Sequence, residues 1–410
     1  MKVLEFKKVY FSIFFLLVVL FPLFPAKFNA SQVHINILVL AGLVLPAIFI
    51  GRSNLVGLGL WVTMYFILCQ IALLPALFFD FSKGGIGSVS FTSFFRPTML
   101  FVSVVGCTVL LRNVDTGKLC DLIAYIVFGA AVYAVLEVFF LDLDRVSSIV
   151  FGLYKREYRT NLLEVSTTFF ATTYYSAFVF FTFLVLLYSR FLQTLQVRYC
   201  IASLLAILLI FLSQSKAIIF CTIVSVWLLG LISQRKVFFY LSIFFLLTIP
   251  VLLINLRVIL DMLSIFDLRI VKDVKLLLLS ANESETLNIR LDQIANVIES
   301  ALLNNGFGVG LIPELSLESW VAVFVFRYGI FGLVFFLGLV SVLSFYCLIT
   351  IRAGNNQNVW LAKAGLVWSM LLPLSQLSSA MIEYGKTAFV ANFMIALIIV
   401  TYFRSRHVEV

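Results

Sequence analysis

Long apolar runs broken by short polar stretches set the pattern of this chain. They fall at approximately 9–25, 35–50, 55–79, 97–111, 122–141, 171–188, 199–213, 217–233, 237–254, 319–351, 361–382 and 387–403. A membrane-crossing helix takes about 20 mostly apolar residues, so these twelve runs are predicted spans. The first follows Lys2, Glu5, Lys7 and Lys8, as a secretory signal would. A cut after Ala30 would leave Phe28 where cleavage wants a small residue, so the run is predicted to stay as the first span. The run at 319–351 is 33 residues long, or roughly 50 Å as one helix, against a bilayer core of about 30 Å. Part of it must tilt, protrude or lie at the interface.

Composition agrees with the pattern. Hydrophobic residues make up 62% of the 410 and charged residues 12%, and the mean hydropathy is +1.11. A soluble domain is about half apolar and about a quarter charged. An ordinary soluble enzyme, a disordered chain and a disulfide scaffold are thereby excluded. The expected fold class is all-α: a polytopic membrane protein of about twelve helices in one integral membrane domain. The net charge of +9 does not point to nucleic acid, because the cations are scattered and form no compact basic block. Cys69, Cys107, Cys120, Cys200, Cys221 and Cys347 show no CxxC or paired spacing and read as small packing residues.

Orientation follows from Lys and Arg. With the N-terminus inside, the inside segments hold fourteen basic residues against four acids, Glu5, Asp115, Asp121 and Glu409. Both termini are then cytoplasmic. Two outside segments, 142–170 and 255–318, are far longer than connections need to be. They hold nine basic residues that topology does not explain, and function is expected there.

The first long segment carries Lys155, Arg156 and Arg159, followed by Glu164 and Ser166 and then by Tyr174 and Tyr175 at the next span. Arg holds phosphate through two parallel hydrogen bonds, which suits a phosphate or pyrophosphate. The same cations would also suit a loop that touches lipid headgroups. Ser213-Gln214-Ser215-Lys216 forms a tip between two spans and holds Lys216 near the outer plane, where it is either a ligand or a snorkelling side chain. In the second segment Leu291, Ile294, Val297 or Ile298, and Ala301 or Leu302 recur at helical spacing. Asn288 is the expected N-cap, Gly306 the stop, and Arg290 falls in the first turn, where the macrodipole disfavours a cation. Such a helix could lie on the outer membrane surface. The run Gly306-Phe307-Gly308-Val309-Gly310 can expose backbone N–H groups to an anion, or can simply be a turn. Glu318 and Arg327 flank the next run, with Ser319 placed as a helix cap.

In order, these motifs resemble those of Wzy-type O-antigen polymerases, a fold group shared with O-antigen ligases. Arg159 with Glu164 and Ser166, the Ser213–Lys216 tip, Arg290 with Gly306–Gly310, and Glu318-Ser319 with Arg327-Tyr328-Gly329 and Gly332 carry the resemblance over about residues 140–340. It implies a glycosyltransferase of the inner membrane with two large periplasmic loops bearing short amphipathic helices. Such an enzyme moves a growing glycan from one undecaprenyl pyrophosphate carrier onto a lipid-linked repeat unit. Arg159, Arg290 and Glu318 are then the candidate catalytic residues. Arg96, Arg156, Glu164, Lys216, Arg327, Tyr328 and Gly308 are candidates for substrate binding. The expected partners are the lipid-linked oligosaccharide and membrane lipids, with room for a chain-length regulator. No metal or cofactor is expected, since the loop acids are interspersed with cations.

Other classes compete. The related ligases carry a His near the Glu318 position, whereas the histidines here are His34 and His407, outside the long loops. A lipid-linked oligosaccharide flippase would suit twelve spans, and Glu137 inside a span is its best hint. It would usually show repeated halves, and none is seen. A polyprenyl-phosphate transferase of the acidic first-loop type would need carboxylates at 26–33, where there is no Asp or Glu.

Overall fold

A computed structural model describes residues 60–82, 93–112, 114–139, 173–213, 215–233, 285–311, 317–354, 358–377, 379–383 and 385–406. The predicted spans at 9–25, 35–50 and 237–254 lie outside the described residues, as do the segment 142–170, with Arg156, Arg159 and Glu164, and the side chain of Glu137. Among the described residues the protein is helical, with no strand. In chain order the helices are α1 (Leu60–Ser82), α2 (Arg96–Leu111), α3 (Thr116–Phe139), α4 (Thr173–Thr194), α5 (Val197–Leu212), α6 (Lys216–Ile232), α7 (Glu285–Leu303), α8 (Trp320–Tyr328), α9 (Ile330–Arg352), α10 (Val359–Ser375) and α11 (Gly385–Arg406).

All of these but α7 fall in predicted runs, α8 and α9 sharing the run at 319–351. Five carry stretches long and apolar enough to cross a membrane: Leu60–Ser82, Thr116–Val135, Tyr174–Thr194, Ile330–Arg352 and Thr387–Ser405. The helices α2, α5, α6 and α10 are apolar but only 16–17 residues long, roughly 25 Å. The core runs along α4 and α11. The membrane-length windows of these helices are 83% and 89% buried, against 39% for α1 and 33% for α9. The α4 sequence explains its place, because Phe178, Phe180, Phe181, Phe183 and Leu184 make it apolar all round and it must be enclosed. It packs against α3, α5, α6, α10 and α11, while α11 also packs on α2 and α9.

Side-chain contacts sort the helix ends into two groups. At one end Arg404 of α11 donates to the carbonyls of Leu111, Arg112 and Val114, which closes the C-terminus of α2. Arg198 and Tyr199 of α5 bind Asp121 of α3 at 3.0 and 2.7 Å. At the other end Arg96 of α2 and Arg327 of α8 meet Glu383 in the α10–α11 connection, Arg290 of α7 meets Glu318, and Asp80 of α1 accepts the Leu311 N–H.

Two predicted runs are corrected. The run at 319–351 is not one span: Gly329, at φ +69°, separates α8 from α9. A Cβ there would fall 2.1 Å from the Gly306 carbonyl oxygen, so only glycine permits both the backbone turn and the close approach. The excess length predicted for a single helix is resolved by this break. The run at 361–382 ends at Ser375, and the chain turns through a buried 3-10 turn at Met381–Glu383 before α11. Gln376 organises that turn, accepting the Ile382 N–H on Oε1 while its carbonyl takes the Ser379 N–H.

Candidate functional site

Glu383 is the centre of the charged end. Arg327, in the last turn of α8, bonds its carboxylate directly, and Tyr328 donates to the other oxygen at 2.6 Å. Arg96, the first residue of α2, brings Nη1 to 3.5 Å from the same carboxylate. The side chains of Arg96, Arg327 and Glu383 are 5%, 7% and 2% exposed. Three ionised groups in so apolar a setting persist only by compensating one another. A guanidinium at the N-terminus of α2 opposes that helix's dipole, and Glu383 offsets the conflict. Burial, reinforced by the Glu383 carboxylate, pushes the Tyr328 hydroxyl well above the usual tyrosine range, so it stays a donor. Beside the cluster is a cavity of about 20 Å³, whose lining includes Tyr65, Cys69, Tyr328, Glu383 and Asn392. That is room for about one water molecule.

The other face of α8 starts at a second ion pair. Arg290 Nε lies 3.2 Å from Glu318 Oε2, and these side chains are 22% and 42% exposed. One turn on, Gln293 Oε1 accepts the Glu318 backbone N–H at 3.0 Å, so α7 grips residue 318 at two points. Ser319 caps α8 by accepting from the Ala322 N–H at 3.1 Å. The helix start in α7 is corrected: it begins at Glu285, not after Asn288, because Leu287 continues the apolar spacing through Leu291 and Ile294. Arg290 therefore sits in the second turn, and its expected conflict with the macrodipole does not arise. Gly306 does end the helix, at φ +81°, with its N–H closing on the Ala301 carbonyl at 2.7 Å.

The glycine run has a structural explanation. The N–H groups of Val309 and Gly310 both point to the Phe326 carbonyl, at 2.8 and 3.3 Å. Leu311 N–H goes to Asp80 Oδ2 at 3.2 Å, and Arg327 Nε donates to the Leu311 carbonyl. A Cβ on Gly308 would lie 2.0 Å from the Arg327 carbonyl oxygen. These amides hold the C-terminal turn of α8, which sets Arg327 and Tyr328 against Glu383. Glycine is required by close backbone approach, with no anion needed to account for it.

Of the sequence-derived candidates, the structure joins Arg290 with Glu318. It joins Arg96, Arg327 and Tyr328 through Glu383, with Gly308 packed beneath Arg327. Lys216 is exposed in the first turn of α6, which packs chiefly on α10 and α4 rather than on α7 or α8. Glu383 escapes a reading based on apolar runs because it falls in a short connection. The signal was its rarity: it is the sole acid between Glu318 and Glu409. Asp80 and Gln293 carry no sequence pattern that would mark them. Among the described residues no group of three His, Cys, Asp or Glu side chains converges as a metal site. No protein-family model matches the chain, and no curated protein matches it.

Proposed function

We propose that this protein is a polymerase of lipid-linked glycan repeat units, with twelve spans and both termini on the cytoplasmic side of the inner membrane. It transfers the growing chain from undecaprenyl pyrophosphate to a hydroxyl of an incoming carrier-linked unit at the periplasmic face. The observation that carries the reading is the Arg290–Glu318 pair. It is an accessible cation and carboxylate 3.2 Å apart, with the Glu318 backbone also held by Gln293 of α7.

The chemistry needs both groups. The acceptor hydroxyl oxygen bonds to the anomeric carbon as the bond from that carbon to the pyrophosphate oxygen breaks. Negative charge grows on the leaving pyrophosphate, and Arg290, joined by Arg159 from the 142–170 segment, offsets it. The hydroxyl proton must go to a base. As Arg290 engages pyrophosphate, its hold on Glu318 weakens and a carboxylate oxygen is released to take that proton. Reconstitution tests the reading. Purified protein in vesicles, given undecaprenyl-pyrophosphate-linked repeat units, should yield a ladder of longer lipid-linked glycans. A flippase would move the same lipid between leaflets with no new glycosidic bond, so translocation without a ladder rejects the polymerase.

A further inference from the structure

The helix α7 presents three faces. Val297, Ala301 and the partly buried Ile298 pack against Val325 and Phe326 of α8 and Leu333 of α9. Asn288, Asp292, Asn296 and Glu299 make a polar face open to solvent. Between them runs an apolar stripe, Leu291 and Leu302 with the edge of Ile298, at spacings of seven and four residues that keep one side of a helix. Leu291 and Leu302 are 54% and 61% exposed. Ile289 and Leu303 are exposed too, but lie singly among the polar residues.

The stripe does not stop at the end of α7. Phe307, just past the helix, meets Phe331 of α9 with ring centroids 5.6 Å apart, and Phe331 stacks on Phe335. Phe331 opens the outward face of α9, continued by Val334, Phe345 and Leu348, all exposed at helical spacing. On that face Ser341 satisfies its hydroxyl on its own helix, at the Leu337 carbonyl. α9 is the most apolar of the membrane-length helices, and two thirds of its window is left uncovered by the described residues, as suits a side that meets lipid.

We infer that α7 is an interfacial helix, seated with Leu291 and Leu302 in the acyl–headgroup boundary of the bilayer that surrounds α9. The occupant of the stripe is lipid because the stripe continues the surface α9 presents to lipid. α7 has one cation, Arg290, against three acids, Glu285, Asp292 and Glu299, and Arg290 is paired with Glu318. Seating is therefore hydrophobic and does not depend on anionic headgroups. Neighbouring helix residues are about 100° apart, so Arg290 sits on the shoulder beside Leu291, at headgroup depth.

Spin labels on the full-length protein in phosphatidylcholine nanodiscs test this. Five of the six cysteines are buried and Cys200 is partly exposed, so Cys200→Ser provides the background. Nitroxides are placed through Leu302→Cys, Leu291→Cys and Glu299→Cys, and their collisions with oxygen and with a water-soluble nickel chelate are compared. The inference expects oxygen-favoured collisions at 302 and 291, nickel-favoured collisions at 299, and no change when phosphatidylglycerol is added. Nickel-favoured collisions at all three positions would put the stripe in water and overturn it. Exclusion of both reagents at 302 and 291 would mean a protein cover, whether another segment or a second copy, and would overturn it equally. Loss of the depth signal on removing anionic lipid, or deepening on adding it, would reject hydrophobic seating. The readout needs no enzymatic activity, so it stands apart from the polymerase reading.

Discussion

Two ion pairs stand at either end of the short helix α8, itself roughly 13 Å long, and they differ in nearly every physical respect. Arg327–Glu383 is sealed, and both partners have other polar contacts, with the Leu311 carbonyl and with Tyr328 and Arg96. Arg290–Glu318 is open to solvent, and its carboxylate is 42% exposed. A buried pair that loses one member strands a charge, whereas an exposed pair can exchange partners at little cost. The first arrangement suits holding backbone in place. The second suits meeting an anionic ligand, which can take Arg290 from Glu318. Under the polymerase proposal, exposure then divides the roles between the two pairs.

The comparison breaks most visibly at Glu383. Glu383→Ala should strand Arg96 and Arg327 and cost on the order of 3–5 kcal/mol of stability. The expected result is a large loss of folded protein on heating in detergent. Next in size, Gly308→Ala should force the loop off the Arg327 carbonyl and lower stability by about 1–3 kcal/mol, read from the same melts. Tyr328→Phe removes one donor to Glu383, and leaving that oxygen unsatisfied should cost roughly 1–2 kcal/mol. If Tyr328→Phe instead melts like the parent protein, water in the adjoining cavity has replaced the hydroxyl.

Much of this was legible in the sequence. The boundaries of α2, α5 and α6 agree with their apolar runs to within two residues, because polar residues bound those runs: Arg112 after α2, and Ser213–Lys216 where α5 gives way to α6. Arg290 and Glu318 enter one candidate site only through the family resemblance, and nothing in their 28-residue separation fixes a contact. The break at Gly329 was legible only as an excess of length: an apolar run hides a glycine whose role is to let another backbone pass. Glu383 was hidden for a related reason. Its partners come from α2 and α8, distant in sequence, and buried ion pairs leave no periodic trace. The start of α7 was misplaced because Asn288 has the chemistry of a cap while the Leu287 spacing carries the helix past it.

At the exposed pair the effects on stability should be smallest and those on function largest. Arg290→Lys keeps the charge but loses the two-pronged geometry, so under the polymerase proposal it should shorten the glycan ladder severely while melting within about 1 kcal/mol of the parent. The most direct test of the division between a holding cluster and a working pair is Glu318→Gln, with melting and glycan length recorded on one preparation. The account predicts a melting transition within about 1 kcal/mol of the parent and almost no elongation of the lipid-linked glycan. Full-length polymer from well-folded Glu318→Gln protein would contradict it.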